Sequence, residues 1–323
     1  MAFKVVITEH RFPNLDAEKE VLSQVGAELV VGNAWTEQEL IELAWDADGI
    51  LNARAKITSH VIDSLQKCKV IVRYGIGTDT IDIPAATKRG IYVVNVPDYC
   101  IEEVSNHALA MLLCMCRKIL EGDRLVRSGE WRLEPLKPMP RLEGQTLGII
   151  GFGRIGRRLA AKAKPIGFEI VAFDPNVSQE EANAYGVSMV SLDELLAVSD
   201  YISIHAPLCN ETRNLLGRPQ FEKMKAGVSI INAARGEIID EEALVEAIEK
   251  GIVSKVALDV LRREPPEANN PLLGLPQVIL TPHVAWYSEQ AISELQRKAA
   301  EEVARVLKGE LPKHLVNPEV LRG

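Results

Sequence analysis

The chain has 323 residues, enough for about two domains with a core each, and at 47% hydrophobic and 25% charged it reads as an ordinary globular protein. A formal charge of −8, with no block of lysine and arginine, argues against nucleic acid or an anionic membrane surface as partner. The longest apolar run, residues 108–116, is far short of a membrane span, and MAFKVVIT opens as a strand with no apolar segment behind a basic start, so no secretory leader is expected.

Residues 3–7, 28–31, 49–51, 70–72 and 91–94 are strand-length apolar runs, and amphipathic stretches near 17–24, 37–44 and 59–65 lie between them. This alternation predicts right-handed crossovers and a parallel sheet covered on both faces, a small α/β domain in the first hundred residues. The loop after the fourth run reads RYGIGTD, residues 73–79. Loops at the carboxyl ends of parallel strands are where such folds bind ligands, and two glycines here can turn N–H groups toward a carboxylate; a plain turn with a solvated arginine fits as well. Residues 101–120 read as one long helix, apolar nearly all round from Ala108, and so covered on most sides. The stretch 132–144, with Pro135, Pro138 and Pro140, is expected to be irregular.

The most informative stretch follows. Residues 146–150 form an apolar strand that runs straight into Gly151, Gly153 and Gly156, spaced G-x-G-x-x-G. Gly151 suits the tight turn, Gly153 the approach of a pyrophosphate, and Gly156 the close packing of the next helix on the sheet. That helix, residues 154–164, turns its N-terminal N–H groups and dipole toward negative charge. A second strand, 169–173, ends at Asp174, where a dinucleotide fold places the acid that takes the ribose hydroxyls. Strand, turn, helix, strand and acid in that order predict a dinucleotide site.

The α/β rhythm continues with strands near 201–204, 228–231, 255–258 and 278–280, so six strands are expected from Thr146 onward, the complement of a doubly wound fold. Helices are expected near 192–198, 219–224 and 241–249, and a last amphipathic helix at 288–308 with Gly309 as its C-cap. The two halves together are two doubly wound parallel-sheet domains. Five cysteines at irregular spacing point to a reducing, cytoplasmic setting rather than a disulfide framework, and no metal site is expected.

Three polar residues at strand ends can carry chemistry: Arg235 in INAARG, Glu264 in DVLRREPP and His283 in LTPHVAW. Histidine suits protonation of an alkoxide at neutral pH, a carboxylate orients an imidazole and favours its protonated form, and an arginine forks onto a carboxylate. Each also has a purely structural reading, as an exposed arginine, a surface glutamate or a strand-capping histidine.

The runs GIIGFGRIG, MKAGVSIINAARGEIIDEEAL, ALDVLRREPP and LTPHVAWYSEQ, with RYGIGTDTIDI earlier, together resemble the D-isomer-specific 2-hydroxy acid dehydrogenases over nearly the whole chain. Within them, WYSEQ is similar to the C-terminal-binding-protein subgroup. The resemblance implies a Rossmann dinucleotide-binding domain, residues 101–287, inserted in a flavodoxin-like substrate domain of residues 1–100 and 288–323, with the catalytic cleft between them and dimerisation through the NAD-binding domain. It implies NAD as cofactor and a small 2-oxo or 2-hydroxy acid as substrate. Arg235 would be the substrate arginine, Glu264 the supporting acid and His283 the proton donor. Arg73, Ile76 and Gly77 would line the carboxylate site. Gly151, Gly153, Arg154, Ile155 and Gly156 would hold the pyrophosphate, Asp174 the ribose, and His205, Ala206, Pro207 and Thr212 would lie along the loop after the third strand of this half, with Ala233 and Asp259 near the nicotinamide. Trp286, three residues past His283, is expected to face the substrate side chain, or else to pack as scaffold. The resemblance leaves open 3-phosphoglycerate, glyoxylate or hydroxypyruvate, and larger apolar 2-oxo acids as substrates, and a dinucleotide-sensing scaffold as the non-enzymatic alternative.

Overall fold

A computed structural model describes residues 2–322. The chain divides into two compact units, Met1–Cys100 with Ser288–Gly323, and Ile101–Tyr287. The first contains β1 (Phe3–Ile7), α1 (Asp16–Ser23), β2 (Ala27–Val31), α2 (Glu37–Ala44), β3 (Gly49–Asn52), α3 (Ser59–Ser64), β4 (Val70–Arg73), α4 (Ile83–Lys88) and β5 (Tyr92–Val94). The second contains α5 (Ile101–Cys116), α6 (Ile119–Arg127), β6 (Thr146–Ile150), α7 (Arg154–Ala163), β7 (Glu169–Phe173), α8 (Gln179–Asn183), β8 (Ser188–Met189), α9 (Leu192–Val198), β9 (Tyr201–Ile204), α10 (Arg218–Phe221), β10 (Val228–Asn232), α11 (Glu241–Glu249), β11 (Val253–Leu258) and β12 (Val278–Leu280). The last helix, α12 (Glu289–Leu307), returns to the first unit and packs on α1, β3 and β4.

The first unit's sheet is all parallel in the order β2-β1-β3-β4-β5, the flavodoxin-like arrangement. The second unit's sheet is all parallel in the order β12-β11-β10-β9-β6-β7-β8, so the strand order reverses between β6 and β9. Strands β3, β9 and β10 are buried at every residue, as expected of strands covered by helices on both faces, which is why they read as mostly apolar runs broken only by small or amide side chains. Several helix starts are written locally. Thr36 with Glu39, Ser178 with Glu181 and Ser191 with Glu194 form reciprocal capping boxes that satisfy N–H groups the helix leaves over.

The structure corrects three expectations. The long helix is two: Lys118 takes a left-handed conformation (φ 51°), and the Met115 carbonyl left over at the end of α5 accepts from Lys118 N and from Lys255 Nζ. The second sheet has seven strands, because β8, an edge strand of two residues, is too short to leave a hydrophobic pattern. The proline-rich stretch includes a short 3-10 turn, Glu134–Leu136, with Pro135 at its start. Among the described residues no helix is long and apolar enough to cross a membrane.

Candidate active site

In the second unit the glycine turn lies where the strand order reverses, the place at which open α/β sheets bind ligands. Gly151 has φ +91°, and a Cβ there would fall 2.5 Å from the Ala206 nitrogen, so the turn and the loop after β9 fit together only around a glycine. A Cβ on Gly153 would meet nothing within 4 Å, which leaves the space over the turn open. Gly153 is the N-cap of α7 and offers no side chain to its first-turn N–H groups, so Arg154 and Ile155 begin a helix ready for an anion. Asp174, just past β7, accepts from Phe152 N and from Asn176 N, both at 2.9 Å. These bonds pin the carboxylate beside the turn, and the whole arrangement fits a dinucleotide.

His205, Ala206 and Pro207 follow β9, with Ala206 buried against the turn. His205 Nε2 lies 2.8 Å from the Ser203 hydroxyl, while its Nδ1 is buried with no hydrogen-bond partner among the described residues. Thr212 closes the same loop, donating to Pro207 O (2.6 Å) and accepting from Cys209 N (2.8 Å). Burial pushes the His205 imidazole down to about 4 from the ordinary 6.5. Its neutral form therefore contributes stability that is complete above pH 6.5 and is lost as pH falls toward 4, because the unfolded chain binds the proton first. Without cofactor, His205→Gln is expected to remove from the pH 7 to 4 stability profile a loss on the order of 3 kcal/mol. Urea unfolding of both proteins across that range checks this, and parallel profiles would refute it.

At the other strand ends the chemistry-bearing residues come together. Asn232, buried at the end of β10, receives the Ala234 N–H (3.0 Å) and donates to Arg235 O (2.8 Å), folding the chain past Ala233 into the turn that presents Arg235. Arg235 Nη1 donates to Ala234 O at 2.8 Å. The next residue, Gly236, touches backbone directly: a Cβ would fall 2.0 Å from Leu261 C and 2.3 Å from Arg262 N. This close approach sets the Arg235 turn against the segment leading to Glu264. Glu241, at the start of α11, holds that segment further by accepting from Arg262 N (2.6 Å) and Asn270 Nδ2 (3.2 Å).

Glu264 accepts from Leu261 N at 3.2 Å, and its other oxygen lies 2.6 Å from His283 Nδ1. The pair is partly open, with side chains 28% and 27% exposed, so reactants can reach the imidazole. With Nδ1 facing the carboxylate, Nε2 is the atom left for chemistry. His283 itself is left-handed, with φ 55°. Asp259, 2% exposed just after β11, holds that geometry: its carbonyl accepts from His283 N (2.8 Å), and its carboxylate accepts from Thr281 Oγ1 (2.6 Å), Val284 N and Ala285 N (both 2.9 Å). Trp286 is half-buried and donates from its indole N–H to His283 O at 2.8 Å, with its ring edge-on to Tyr287.

In the first unit, Arg73 ends β4 and is folded over Gly75, which has φ +144°. Asn95 Nδ2 fixes the loop by donating to Ile76 O at 2.7 Å. The N–H groups of Ile76 and Gly77 have no acceptor among the described residues, as a carboxylate-receiving loop requires.

Sequence reading missed Asn232, Gly236, Glu241 and Thr281. Their signal is weak, a polar or small residue at or just past a strand end or at a helix start, and their roles depend on which loops the sheet order brings side by side.

A doubly wound dinucleotide fold with an imidazole–carboxylate pair and an arginine at its strand ends defines a class of nicotinamide-dependent oxidoreductases. Residues 109–285 match the family model for the D-isomer specific 2-hydroxyacid dehydrogenase, NAD binding domain. The chain is 40% identical over 315 residues to a D-3-phosphoglycerate dehydrogenase of Archaeoglobus fulgidus, covering 97% of this chain and 59% of that protein. It is 36% identical over 292 residues to a glyoxylate reductase of Korarchaeum cryptofilum, covering 89% and 88%. Among solved structures, a glyoxylate reductase from Paecilomyes thermophila matches with TM-score 0.89 at 30% identity, covering 98% of this chain and 99% of that one. A D-lactate dehydrogenase from Aquifex aeolicus, complexed with NAD and lactic acid, matches with TM-score 0.87 at 28% identity, covering 99% and 98%. The chain belongs to the D-isomer-specific 2-hydroxyacid dehydrogenase family, and its second unit holds that family's NAD-binding domain. It spans 59% of the length of the phosphoglycerate dehydrogenases from Archaeoglobus fulgidus and Methanocaldococcus jannaschii.

Proposed function

We propose that this chain is an NAD-dependent reductase of 2-oxo acids to D-2-hydroxy acids. The observation that carries this reading is the His283–Glu264 pair at 2.6 Å, set at the strand ends beside the Arg235 turn. When bound, NADH supplies the hydride that reduces the carbonyl carbon. Arg235 takes the substrate's carboxylate and polarises its carbonyl, and in the first unit the N–H groups of Ile76 and Gly77 suit a carboxylate. His283 Nε2 delivers the proton to the developing alkoxide, and Glu264 orients the ring and stabilises its positive charge. Asp174 accepts both ribose hydroxyls and repels a 2′-phosphate, with no basic residue among Pro175, Asn176, Val177, Ser178 and Gln179. The five free cysteines support a reducing, cytoplasmic setting. Exposed apolar side chains on the second unit, Trp131 (89% exposed) with Ile119, Val126 and Leu133, support a homodimer formed through it.

For the substrate side chain, Trp286 offers an apolar face next to His283, which favours 2-oxo acids with aromatic or thioether groups. A specific observation favours a second reading, a substrate with a second anionic group. Arg11 and Arg54 follow the carboxyl ends of β1 and β3, and neither forms an ion pair among the described residues. Burial, and after it the Arg54 charge, holds the Arg11 guanidinium below its usual range against the opposing Glu9 carboxylate, so two guanidinium groups and one carboxylate stand together at the carboxyl ends of these strands.

One experiment separates these readings: NADH oxidation with phenylpyruvate, 4-methylthio-2-oxobutyrate, glyoxylate and phosphohydroxypyruvate, repeated with NADPH. NADH is expected to be preferred. Trp286→Ala is expected to lower efficiency on phenylpyruvate relative to glyoxylate by about tenfold, the scale of a lost aromatic contact. Equal loss on both acids would leave the tryptophan as scaffold. Selective loss on phosphohydroxypyruvate in Arg54→Met would establish the second reading. No turnover of any 2-oxo acid by a chain that binds NADH would favour a dinucleotide-sensing scaffold instead.

A further inference from the structure

The loop that carries His283 leaves β12, an edge strand paired only with β11, so the sheet braces it from one side alone. On that side Asp259 gathers the loop through the bonds from Thr281, His283, Val284 and Ala285. A further support comes from α5. His107 Nε2 lies 3.0 Å from Thr281 Oγ1, and the Thr281 hydroxyl in turn lies 2.6 Å from Asp259 Oδ1. A hydroxyl has one proton, and an ionised carboxylate only accepts, so Thr281 donates to Asp259 and must accept from His107. The hydrogen-bond pattern therefore assigns the His107 proton to Nε2. His107 Nε2 is also 3.7 Å from Asp259 Oδ1, and its side chain is 24% exposed.

We propose that His107 is a positioning residue for His283, acting through Thr281 and Asp259 to hold residues 281–285 in one arrangement. His107 donates to the Thr281 oxygen and commits the Thr281 proton to Asp259. That leaves the Asp259 carboxylate fixed over the N–H groups of Val284 and Ala285, and the left-handed backbone at His283 is held in place. Without the donor, Thr281 is free to rotate, and the loop keeps its fold while the aim of the imidazole loosens. Small misplacement of a catalytic group costs rate rather than binding. The inference rests on the reading of His283 as proton donor.

The test uses His107→Leu, which removes the donor, and His107→Gln, whose amide can replace it. His107→Leu is expected to lower kcat for 2-oxo acid reduction by about tenfold or more, with KM for the 2-oxo acid and for NADH changed by less than about twofold. His107→Gln is expected to recover most of the loss. A His107→Leu enzyme with unchanged kcat, or a glutamine variant as slow as the leucine one, overturns the proposal. If His107→Leu does not fold, Thr281→Ser against Thr281→Val makes the same comparison. Nitrogen-15 NMR of the unliganded chain reads the His107 tautomer directly: Nε2–H is expected, and Nδ1–H overturns the proposal whatever His283 does. A His283→Gln enzyme that keeps its kcat would instead sink the proton-donor reading, which separates the two failures.

Discussion

His283→Ala is expected to lower kcat for 2-oxo acid reduction by about 10²- to 10⁴-fold, the range for loss of a positioned general acid, with NADH affinity unchanged. In the proposed reaction the alkoxide at the substrate carbon needs a proton as it develops, and the imidazole Nε2 is open to supply it, since Nδ1 faces Glu264 at 2.6 Å. The proposed NADH site draws on other elements, the glycine turn after β6 and Asp174 after β7, so binding should survive. Glu264→Gln is expected to fall between His283→Ala and the parent, because an amide can still contact the ring but brings no charge to stabilise imidazolium. Single-turnover rates beside NADH fluorescence titrations check both variants. A His283→Ala enzyme within about tenfold of the parent would move the proton donor to another group.

What the sequence made legible follows distance along the chain. The strand, glycine turn, helix and acid of residues 146–174 are contiguous, and each carries a local signature, so the element bounds and the pairing of β6 with β7 were readable in advance. The flanking strands were readable for a different reason: a strand buried on both faces is a short, mostly apolar run, as 49–51 and 228–231 are, each strand running one residue further to an asparagine. His283 and Glu264 are nineteen residues apart, and their meeting depends on β11 and β12 lying side by side, which follows from the fold class rather than from spacing. Longer-range partners were not legible. His107 and Thr281 are 174 positions apart, and their contact depends on the rotation of α5 about its own axis, which an apolar helix covered on most sides does not reveal. The break after α5 was hidden for a similar reason: it sits at a left-handed Lys118, and one partner of the Met115 carbonyl there is Lys255, distant in sequence on β11. The helix at Ile83–Lys88 did have a local signature, Asp82 as N-cap with Pro84 in the first turn, and its brevity left too little periodicity to register.

Arg235→Gln is expected to lower kcat/KM for every 2-oxo acid by about 10²- to 10³-fold, and Arg235→Lys is expected to recover only a small part of it. A guanidinium matches a carboxylate with two parallel N–H groups, so in the proposed role Arg235 would fix the direction of the carbonyl as well as the position of the acid. A lysine ammonium supplies the charge but not the fork, and the carbonyl would then be free to turn away from His283. The surrounding structure is built for one arginine geometry: Asn232 closes the turn behind it, and Gly236 sits against the Leu261 backbone with no room for a Cβ. The loss should therefore appear in both parameters, with KM rising because ground-state binding is weakened and kcat falling because orientation is lost. Gly236→Ala gives an independent check, since it keeps the arginine side chain but pushes its turn away from the segment leading to Glu264; kcat should fall while the two charges remain. If Arg235→Lys matched the parent on short and long 2-oxo acids alike, the arginine would be acting as a bare positive charge, and the geometric account of the Asn232–Gly236 turn would have to be abandoned.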